Sequence, residues 1–582
     1  MKNYKKVYAA FILAGGLILH GCNGIFDDLA INPNQPSMGA YFTSPSAVND
    51  AVMTMYGYMS TQRCLGASGS KTTIIRSDEA SSNSDYGKPG MFGADLNASY
   101  YTIEQPYTLM YTTASQASYI IETAPSVDFS GNEELRNAYM GEAYFWRAFA
   151  HYYLLINFRN ISPIRQMPRN GDDYVRPLEK PAAVWDFIQE DLAHAKELLP
   201  VKGYWDSKNA GRVTKASAAA LLGKAYLYRS GIEQYYGEDK TTFYSEAAKE
   251  FGDVIDGKYG TYDLTKNYAD NFDVAHENNE ESILEFQFLG DVDNAGFNPG
   301  LATSGLAFDS RGLMLPGAGV GYEGVVHNWL YNAFVNSVDK DGYTDIRMFS
   351  TMIFNDLDAS VHLRNDAGGN PVRLEGPGGY KWEELYPAKN GKEGFATVSN
   401  PLAHSFKAGI RKGIDCSMPT QTEADGTPKL VGVGAGVKEY VYNQPRAHGV
   451  NWRYIRYADV LMMYAESVVS GGTPASNMTP LQAVNKVRGR ANMSELPSVT
   501  MTDIQNERIL EFALEGHRFY DLLRWGKLAS RFTELQESDP NFKKFISADD
   551  FKGFVTNKHE WLPIPINEVN SNPYITENNP GY

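Results

Sequence analysis

The stretch Glu133–Phe158, EELRNAYMGEAYFWRAFAHYYLLINF, decides the fold class. Its apolar and aromatic residues recur at mixed spacings of three and four, which is the periodicity of a helix face. Alanines alternate with large side chains, among them Ala143, Trp146 and Phe149. Small residues between large ones allow two helices to pack closely. The stretch therefore predicts a long helix that packs against other helices.

Further helices are predicted along the chain. Val184–Leu199 forms one and stops before a proline. Thr214–Gly231 contains a Leu-Gly-x-x-Tyr motif, and Ala247–Phe251 follows it as Ala-x-x-x-Phe; together they resemble the two halves of a tetratricopeptide repeat with an insertion between them. Arg456–Arg490 has a similar paired-helix pattern. We expect a mainly α fold built on a tetratricopeptide-like helical repeat scaffold.

Residues 262–450 have a different character. Glycine clusters occur at 317–324, 368–369 and 376–379, and only short possible strands such as Ile283–Phe288 interrupt the irregular sequence. Irregular chain of this length is usually functional or disordered, and its aromatic content favours order. We expect this region to form a large loop-rich ligand-binding face.

The composition is that of a folded protein, with 43% hydrophobic and 21% charged residues in a chain of 582. The net charge of −16 argues against nucleic acid as a partner, because a polyphosphate requires a basic surface. Tyrosines (38) outnumber phenylalanines (28) and tryptophans (8). Tyrosine suits both a wet recognition surface and packing between helices, so this excess leaves both interpretations open.

The C-terminal third contains an ordered series of motifs. They are WRYIRYAD (452–459), LMMYAE (461–466), AVNKVR (483–488), EGHRFYD (515–521), LRWG (523–526), LPIPI (562–566) and NNPGY (578–582). This series closely resembles the SusD/RagB family of Bacteroidetes outer-membrane lipoproteins. The resemblance extends to the Glu142–Leu155 helix and to GRVTK (211–215), and it departs at FRNISP (158–163), where the family usually has a Tyr-Gly pair before its proline.

The resemblance implies a fold, a partner and a function. The family's four tetratricopeptide-like helix pairs support a loop-rich ligand face, and its members act as lids over a SusC-like TonB-dependent transporter barrel. Typical ligands are glycans, whereas the RagB branch handles peptides. The resemblance thus implies a nutrient-binding protein that is not an enzyme and needs no cofactor.

The N-terminus predicts export and lipidation. Lysines precede an apolar run, Val7–Leu19, that is shorter than the roughly 20 residues of a membrane-spanning helix and is typical of an export signal. The run ends in LHGC, which resembles a lipobox with His20 as its one departure, and Cys22 is the expected lipidation site. Asp27 and Asp28 resemble an acidic surface-export tag. A simple signal peptide with an incidental cysteine is the alternative.

These observations divide the chain into segments. Residues 1–21 form the predicted lipoprotein signal peptide and residues 22–45 the lipid anchor and tether. A single body spans 46–582, with N-terminal helical repeats at 46–261, the loop-rich region at 262–450, and C-terminal helices and tail at 451–582. The expected location is the outer membrane, facing the cell exterior.

Sugar recognition combines aromatic faces, which stack on a pyranose ring, with planar amide, carboxylate and guanidinium groups that bind hydroxyls. Two loop regions have this composition and match, by position, the segments that supply ligand contacts in the family. The candidate ligand-binding residues are Arg76, Asp78, Asp85, Tyr86, Asn97, Tyr100 and Tyr101 in the first region, and Asn294, Phe297, Asn298 and Tyr322 in the second. The first region contains no tryptophan, which leaves peptide binding as an alternative.

Carboxylates and arginines cluster in a stretch predicted as one helix. They are Glu507, Glu511, Glu515 and Asp521 with Arg508, Arg518 and Arg524. Paired acids could indicate a glycosidase. Their spacings of three and four, however, place acids beside arginines on one helix face, which favours a buried salt-bridge network that also includes Arg456 and Asp459.

No metal site or catalytic residue is predicted. Asp339–Asp345 has the beginnings of a calcium loop but lacks the bidentate glutamate of an EF-hand. Cys64 and Cys416 are too few and too far apart to indicate a zinc site or a disulfide framework.

Overall fold

The computed structural model describes residues 42–61, 63–66, 69, 71–81, 92, 96–169, 171–288, 308–309, 325–354, 359–364, 407–412, 423–425, 430–434, 437–440, 447–448, 450–539 and 554–582. Several sequence predictions lie outside these residues: the signal peptide, Cys22, most of the tether, and the candidates Asp85, Tyr86, Asn294, Phe297, Asn298 and Tyr322.

Helices dominate the described residues, which confirms the mainly α class. They are α1 Pro45–Met59, α2 Tyr101–Thr123, α3 Glu133–Phe158, α4 Pro181–Leu198, α5 Lys215–Tyr236, α6 Tyr244–Ile255, α7 Asn328–Val335, α8 Arg347–Thr351, α9 Tyr457–Val469, α10 Pro480–Arg490, α11 Met501–Glu511, α12 Arg518–Arg524, α13 Leu528–Ser538 and α14 Ile566–Ser571. Within the part of the chain that the structure describes, none of the helices has the length and hydropathy needed to cross a bilayer.

The strands are short. They are β1 Ala80–Ser81, β2 Ser282–Phe286, β3 Phe308–Asp309, β4 Val325–Val326, β5 Met352–Phe354, β6 Ala408–Ile410, β7 Leu430–Gly434, β8 Val437–Tyr440, β9 Ala447–His448 and β10 Trp452–Arg456. An antiparallel sheet has the order β1-β4-β6-β5, and the antiparallel pairs β10-β2, β3-β9 and β7-β8 accompany it. Through β1 and β4, the described part of the loop-rich region pairs with the N-terminal region.

The predicted helix Glu133–Phe158 is confirmed as α3. The side chain of Asn132 accepts a hydrogen bond from the backbone N–H of Leu135, and acidic residues occupy the first turn, so both capping and the helix dipole favour this start. Almost every side chain after Gly141 is buried, including Trp146. Arg147 donates two hydrogen bonds of 2.7 Å to Asp191 and thereby joins α3 to α4.

The helices pack as a series of neighbours. α1 packs on α2, α2 on α3, α3 on α4, α4 on α5, α5 on α6, α6 on α9, and α9 on α10 and α11. The Leu-Gly-x-x-Tyr motif explains one of these contacts, because a Cβ on Gly223 of α5 would lie 2.8 Å from the ring of Phe251 of α6. The glycine thus lets the two predicted half-repeats approach closely. The tetratricopeptide-like assignment of the whole array stays a prediction.

The predicted single helix across residues 507–524 is wrong, because the chain there forms two helices, α11 and α12, separated by a turn. Leu514 and Gly516 adopt φ values of +61° and +85°, which cannot continue an α-helix. The turn fits closely against the N-terminal region: a Cβ on Gly516 would lie 3.0 Å from Oγ1 of Thr73, and the Leu514 N–H donates to Oε1 of Glu79.

Candidate functional site

The structure places two of the predicted ligand-binding residues, Arg76 and Asp78, inside the protein. Both side chains are fully buried. Arg76 donates to the backbone carbonyl oxygens of His559 and Glu560, at 3.1 and 2.9 Å. A ligand cannot reach such a side chain, so the assignment of these two residues to ligand binding is corrected: they hold the scaffold together.

Asp78 accepts hydrogen bonds from two arginines of the C-terminal helices. Arg518 donates to both carboxylate oxygens, at 2.9 and 3.0 Å, and Arg531 donates to one of them at 2.7 Å. Burial alone would raise the pKa of Asp78, but the two guanidinium groups hold it below its usual value. The carboxylate is therefore the buried counter-ion of α12 and α13.

Three other predicted residues, Asn97, Tyr100 and Tyr101, lie together at the start of α2. The rings of Tyr100 and Tyr101 are stacked, with centroids 5.4 Å apart and an angle of 23° between their planes. Tyr100 is half-buried against the core, whereas Tyr101 is 41% exposed. The exposed Asn97 accepts a hydrogen bond from the Ser99 N–H at 2.9 Å. We call Tyr100 and Tyr101 the tyrosine platform.

A cavity of about 370 Å³ begins one helical turn beyond the platform, which we call the α2 groove. Glu104, three residues after Tyr101, marks its near end, since residues three apart lie on one helix face. α2 supplies one wall, and the C-terminal segment around α14 supplies the other. The polar groups that line it include Glu104, Thr108, Arg176, Asn567 and Glu568.

The floor of the α2 groove combines aromatic and polar groups. Burial raises the pKa of both Tyr107 and Tyr111, so their hydroxyls stay protonated. The Tyr111 hydroxyl accepts the backbone N–H of Ser162 at 3.1 Å, and Asn567 donates to Glu104 at 2.5 Å across the groove. The groove therefore offers amide, carboxylate and guanidinium groups beside an exposed aromatic face.

Sequence reasoning missed the groove residues. Glu104 had a local signal, because it lies three residues from Tyr101 in a predicted recognition segment. Arg176, Asn567 and Glu568 come from parts of the chain distant in sequence, and nothing in their local sequence indicates that they lie beside α2.

Two family models match the chain. One is described as the SusD family and matches residues 419–582; the other is described as starch-binding associating with outer membrane and matches residues 31–227. The chain belongs to the SusD family. This confirms the family resemblance that the C-terminal motifs carry.

Relatives extend the similarity over most of the chain. A SusD-like protein from Bacteroides ovatus is 25% identical over 533 residues, which cover 90% of this chain and 83% of that protein. The SusD-like protein P2 from Formosa agariphila is 25% identical over 608 residues and covers all of both chains.

Solved structures show the same fold. A SusD superfamily protein from Bacteroides vulgatus superposes with a TM-score of 0.67 at 22% identity, covering 93% of this chain and 100% of that one. Surface glycan-binding protein A from Bacteroides thetaiotaomicron, solved in complex with laminarihexaose, gives 0.65 at 19% identity, covering 92% and 100%. A laminarin-binding SusD-like protein gives 0.62 at 21% identity, covering 93% and 100%. At these identities the likeness shows the fold alone.

The clustered carboxylates of this SusD-family chain form the predicted buried network. Arg456 donates to Glu281, Glu511 and Glu515 at 2.7, 2.6 and 2.9 Å. Arg347 reaches Glu511 at 3.0 Å. Burial would raise the pKa of Glu511, but the surrounding arginines hold it far below its usual value. A glycosidase acid must carry a proton near neutral pH, so this carboxylate cannot serve as one.

A second network joins α5, α9, α11 and α12. Arg508 of α11 contacts Asp459 of α9 and Asp521 of α12, both at 2.8 Å. Lys224 of α5 reaches the same Asp459 at 3.2 Å. These pairs confirm the interpretation of the charged motifs as scaffold.

Ser81 and His327 form a pair that resembles the core of a nucleophilic site. The Ser81 hydroxyl lies within hydrogen-bond distance of Nε2 of His327, and Nδ1 of His327 is 2.7 Å from the backbone carbonyl oxygen of Asp78. Both side chains are buried at the β1–β4 pairing, so the serine is not presented to a substrate. The contact instead links β1 to the residue that precedes α7.

The acidic turn Asp339–Asp345 is engaged by protein groups. Asp339 accepts the backbone N–H groups of Asp341 and Tyr343 at 2.9 and 3.1 Å, and Asp345 accepts from Arg347 at 2.7 Å. Within the described residues, no group of three or more His, Cys, Asp or Glu side chains is placed to hold a metal ion.

Proposed function

We propose that this SusD-family chain is a non-enzymatic lipoprotein that captures glycan at the outer surface of the bacterial outer membrane and passes it to a SusC-like TonB-dependent transporter. The tyrosine platform is the observation that supports a glycan as the ligand: the rings of Tyr100 and Tyr101 are stacked, and Tyr101 is 41% exposed. Such a ring suits the apolar side of a pyranose ring, and it lies beside polar groups that can bind hydroxyls.

The relatives support the ligand class. One structural neighbour is named as binding laminarin, another was solved with laminarihexaose, and a matching family model is described as starch-binding. The probes to test are therefore β-glucan and α-glucan fragments. In this proposal Asn97, Tyr100 and Tyr101 contact the ligand, and the α2 groove accommodates its continuation. The candidates outside the described residues, Asp85, Tyr86, Asn294, Phe297, Asn298 and Tyr322, stay part of the proposed site.

Calorimetric titration of the chain with laminarihexaose, maltohexaose and a peptide digest tests the proposed ligand class. We expect one of the two hexasaccharides to bind, and Tyr101→Ala to weaken that binding at least about tenfold, because the exposed stacking face is lost. Tyr574→Ala is the matched control: Tyr574 is 58% exposed and lines neither the platform nor the groove. Binding of the peptide digest alone would replace the glycan proposal with a RagB-like one.

The proposed anchoring rests on the LHGC motif and the apolar run before it. Metabolic labelling with palmitate should mark the wild-type chain and not Cys22→Ala, which should leave the membrane fraction. Protease added to intact cells should remove the wild-type protein if it faces the exterior. Retention of label in Cys22→Ala would contradict the lipidation site.

Delivery to a transporter is tested by isolating the tagged chain from detergent-solubilised outer membranes. We expect a TonB-dependent barrel to co-purify in a fixed ratio. A lipid-anchored binder held beside its transporter raises the local ligand concentration, so even modest affinity would suffice. Recovery of the chain without a barrel under mild detergent would contradict the proposed partner.

A further inference from the structure

A second polar pocket lies away from the tyrosine platform along the helical series. Its volume is about 770 Å³, and it opens between α5, α6, α9 and α11, with the end of α12 at its base. The platform is at the start of α2, and α3 and α4 lie between α2 and α5 in the packing order. The two places share no lining residue.

The pocket has an exposed aromatic face at its rim. Tyr235 of α5 is 52% exposed, and its ring packs on Gly526, where a Cβ would lie 2.5 Å from the ring. Gly526 has φ +64°, so the position favours glycine on backbone grounds as well. The glycine thereby lets the tyrosine ring lie directly against the turn after α12. Trp525 and Tyr244 add further aromatic surface to the wall.

Glu466, one of the residues that line the pocket, has one carboxylate oxygen with a partner and one without among the described residues. Glu466 is 2% exposed, and its Oε1 accepts from Trp525 Nε1 at 2.9 Å and pairs with Arg524. Its Oε2 is buried and has no hydrogen-bond partner among the described residues. This oxygen is closed off from solvent, so a ligand in the pocket would meet the exposed hydroxyl and amide groups of the lining, such as Thr242 and Gln234, instead.

The remaining lining favours an uncharged polar ligand. Two acidic and two basic side chains line the pocket, so their formal charges cancel: Glu246, Glu466, Arg524 and Lys527. Arg524 is engaged by Glu466 and Asp521, and Lys527 donates to Gln505 at 2.6 Å. The pocket therefore has no surplus cation to recognise a phosphate or carboxylate, whereas hydroxyl and amide groups such as Thr242, Gln234 and Gln505 are available to bind hydroxyls.

We propose that this pocket is a second carbohydrate-binding site, which takes a neutral oligosaccharide with a sugar ring on Tyr235 and its hydroxyls on exposed polar groups of the lining such as Gln234 and Thr242. The ligand class of this site, a carbohydrate, rests on the proposed function. The location of the site does not, because it follows from the pocket itself. Two separate sites on one rigid helical array hold a polysaccharide more tightly than either site alone, because the second contact becomes intramolecular.

Calorimetric titration of the full-length chain in detergent micelles with laminarihexaose and maltohexaose tests the second site. We expect two hexasaccharides per wild-type chain, one for Tyr235→Ala, one for Tyr101→Ala and none for the double variant. Tyr235→Phe should retain two, because it keeps the ring face, and Tyr574→Ala should also retain two. Binding of the polymer, laminarin or starch, should weaken at least tenfold in Tyr235→Ala.

The outcomes separate the two proposals. Unchanged stoichiometry and affinity in Tyr235→Ala overturn the second site. Loss of binding in Tyr235→Ala but not in Tyr101→Ala supports the second site and overturns the tyrosine platform. If neither hexasaccharide binds the wild-type chain, both the second site and the tyrosine platform are overturned.

Hydrogen exchange of the wild-type chain gives a measurement that does not depend on how a variant folds. Saturating hexasaccharide should protect amides in residues 231–246 and 466–471, which border the pocket, in addition to those around residues 97–108. Protection confined to residues 97–108 overturns the second site.

Discussion

Residues 76–81 and 97–101 belong to one predicted ligand region, yet the structure gives them opposite roles. The first segment turns inward: Asp78 is clamped between Arg518 and Arg531, and Glu79 accepts the Leu514 N–H. The second segment turns outward and presents Tyr101 at the start of α2. Both are polar in sequence, and the second also carries two tyrosines. The comparison teaches that composition identifies a region rich in recognition chemistry, whereas distant partners decide which of its side chains remain accessible.

The largest effect should come from the inward segment. Asp78→Ala leaves two arginines without their buried counter-ion, so we expect it to lower the free energy of unfolding by about 3–5 kcal/mol. Chemical denaturation measures this loss. Glu238→Ala, which removes one partner of the exposed Lys180–Glu238 pair, should cost less than about 1 kcal/mol. A similar small loss for Asp78→Ala would contradict the scaffold role.

Glu79 should make stability depend on pH. Burial raises its pKa to about 8, with a smaller contribution from Asp78, whereas a glutamate in an unfolded chain titrates near pH 4.3. The folded chain therefore keeps a proton that the unfolded chain releases between these values, and stability falls as the pH rises from about 4.3 to 8.

Glutamine at position 79 has nearly the shape of a protonated glutamate and is neutral, but it has no carboxyl group to titrate. The variant Glu79→Gln therefore removes this pH dependence. We expect the variant to be more stable than the wild type at pH 8, by up to about 5 kcal/mol, and similar to it at pH 4.5. Denaturant midpoints at the two pH values measure the difference. A constant difference across this window would show that Glu79 does not hold the proton.

The outward segment should affect binding and leave stability intact. Tyr101→Ala should lose about 1.4 kcal/mol or more of glycan binding, whereas Tyr101→Phe should lose less than about 0.5 kcal/mol, because the ring face does the stacking. Thermal unfolding should change little in either variant, since the side chain is 41% exposed. An equal loss in both variants would assign the contact to the hydroxyl instead of the ring.

Asn97→Ala should give the smallest effect. Removing one exposed amide that contacts a ligand hydroxyl should weaken binding by about 0.5–1.5 kcal/mol. The Ser99 N–H would lose its 2.9 Å acceptor at the protein surface, where water can replace it. Titration of the variant with the same hexasaccharide measures the change, and unchanged affinity would remove Asn97 from the proposed site.

Several parts of the fold were predictable because their signals are local. The α3 helix has its capping residue, its acidic first turn and its small–large alternation in one continuous stretch. The close contact of α5 and α6 was indicated by a glycine and an aromatic at repeat-like positions, Gly223 and Phe251. The charged network was indicated by the many acids and arginines of the C-terminal motifs, although its pairs join separate elements, as Arg456–Glu511 and Arg508–Asp459 do, and do not lie along one helix face.

Other features were not predictable, because they depend on residues that are far apart in sequence. The break between α11 and α12 follows from the fit of Leu514 and Gly516 against Glu79 and Thr73. The α2 groove exists because Arg176 and the segment around Asn567 come to lie beside α2. A local sequence pattern carries no information about such long-range contacts.

The sequence by itself determined the helical class, the family and the scaffold role of the charged motifs, since periodicity and motif order are properties of continuous stretches. The tertiary structure decided which polar residues face water: it buried Arg76 and Asp78, exposed Tyr101, and placed the exposed Tyr235 beside a polar pocket. The physical reason is that a charged or polar side chain is buried only where other parts of the fold supply its partners. Whether they do is known only once the helices have packed.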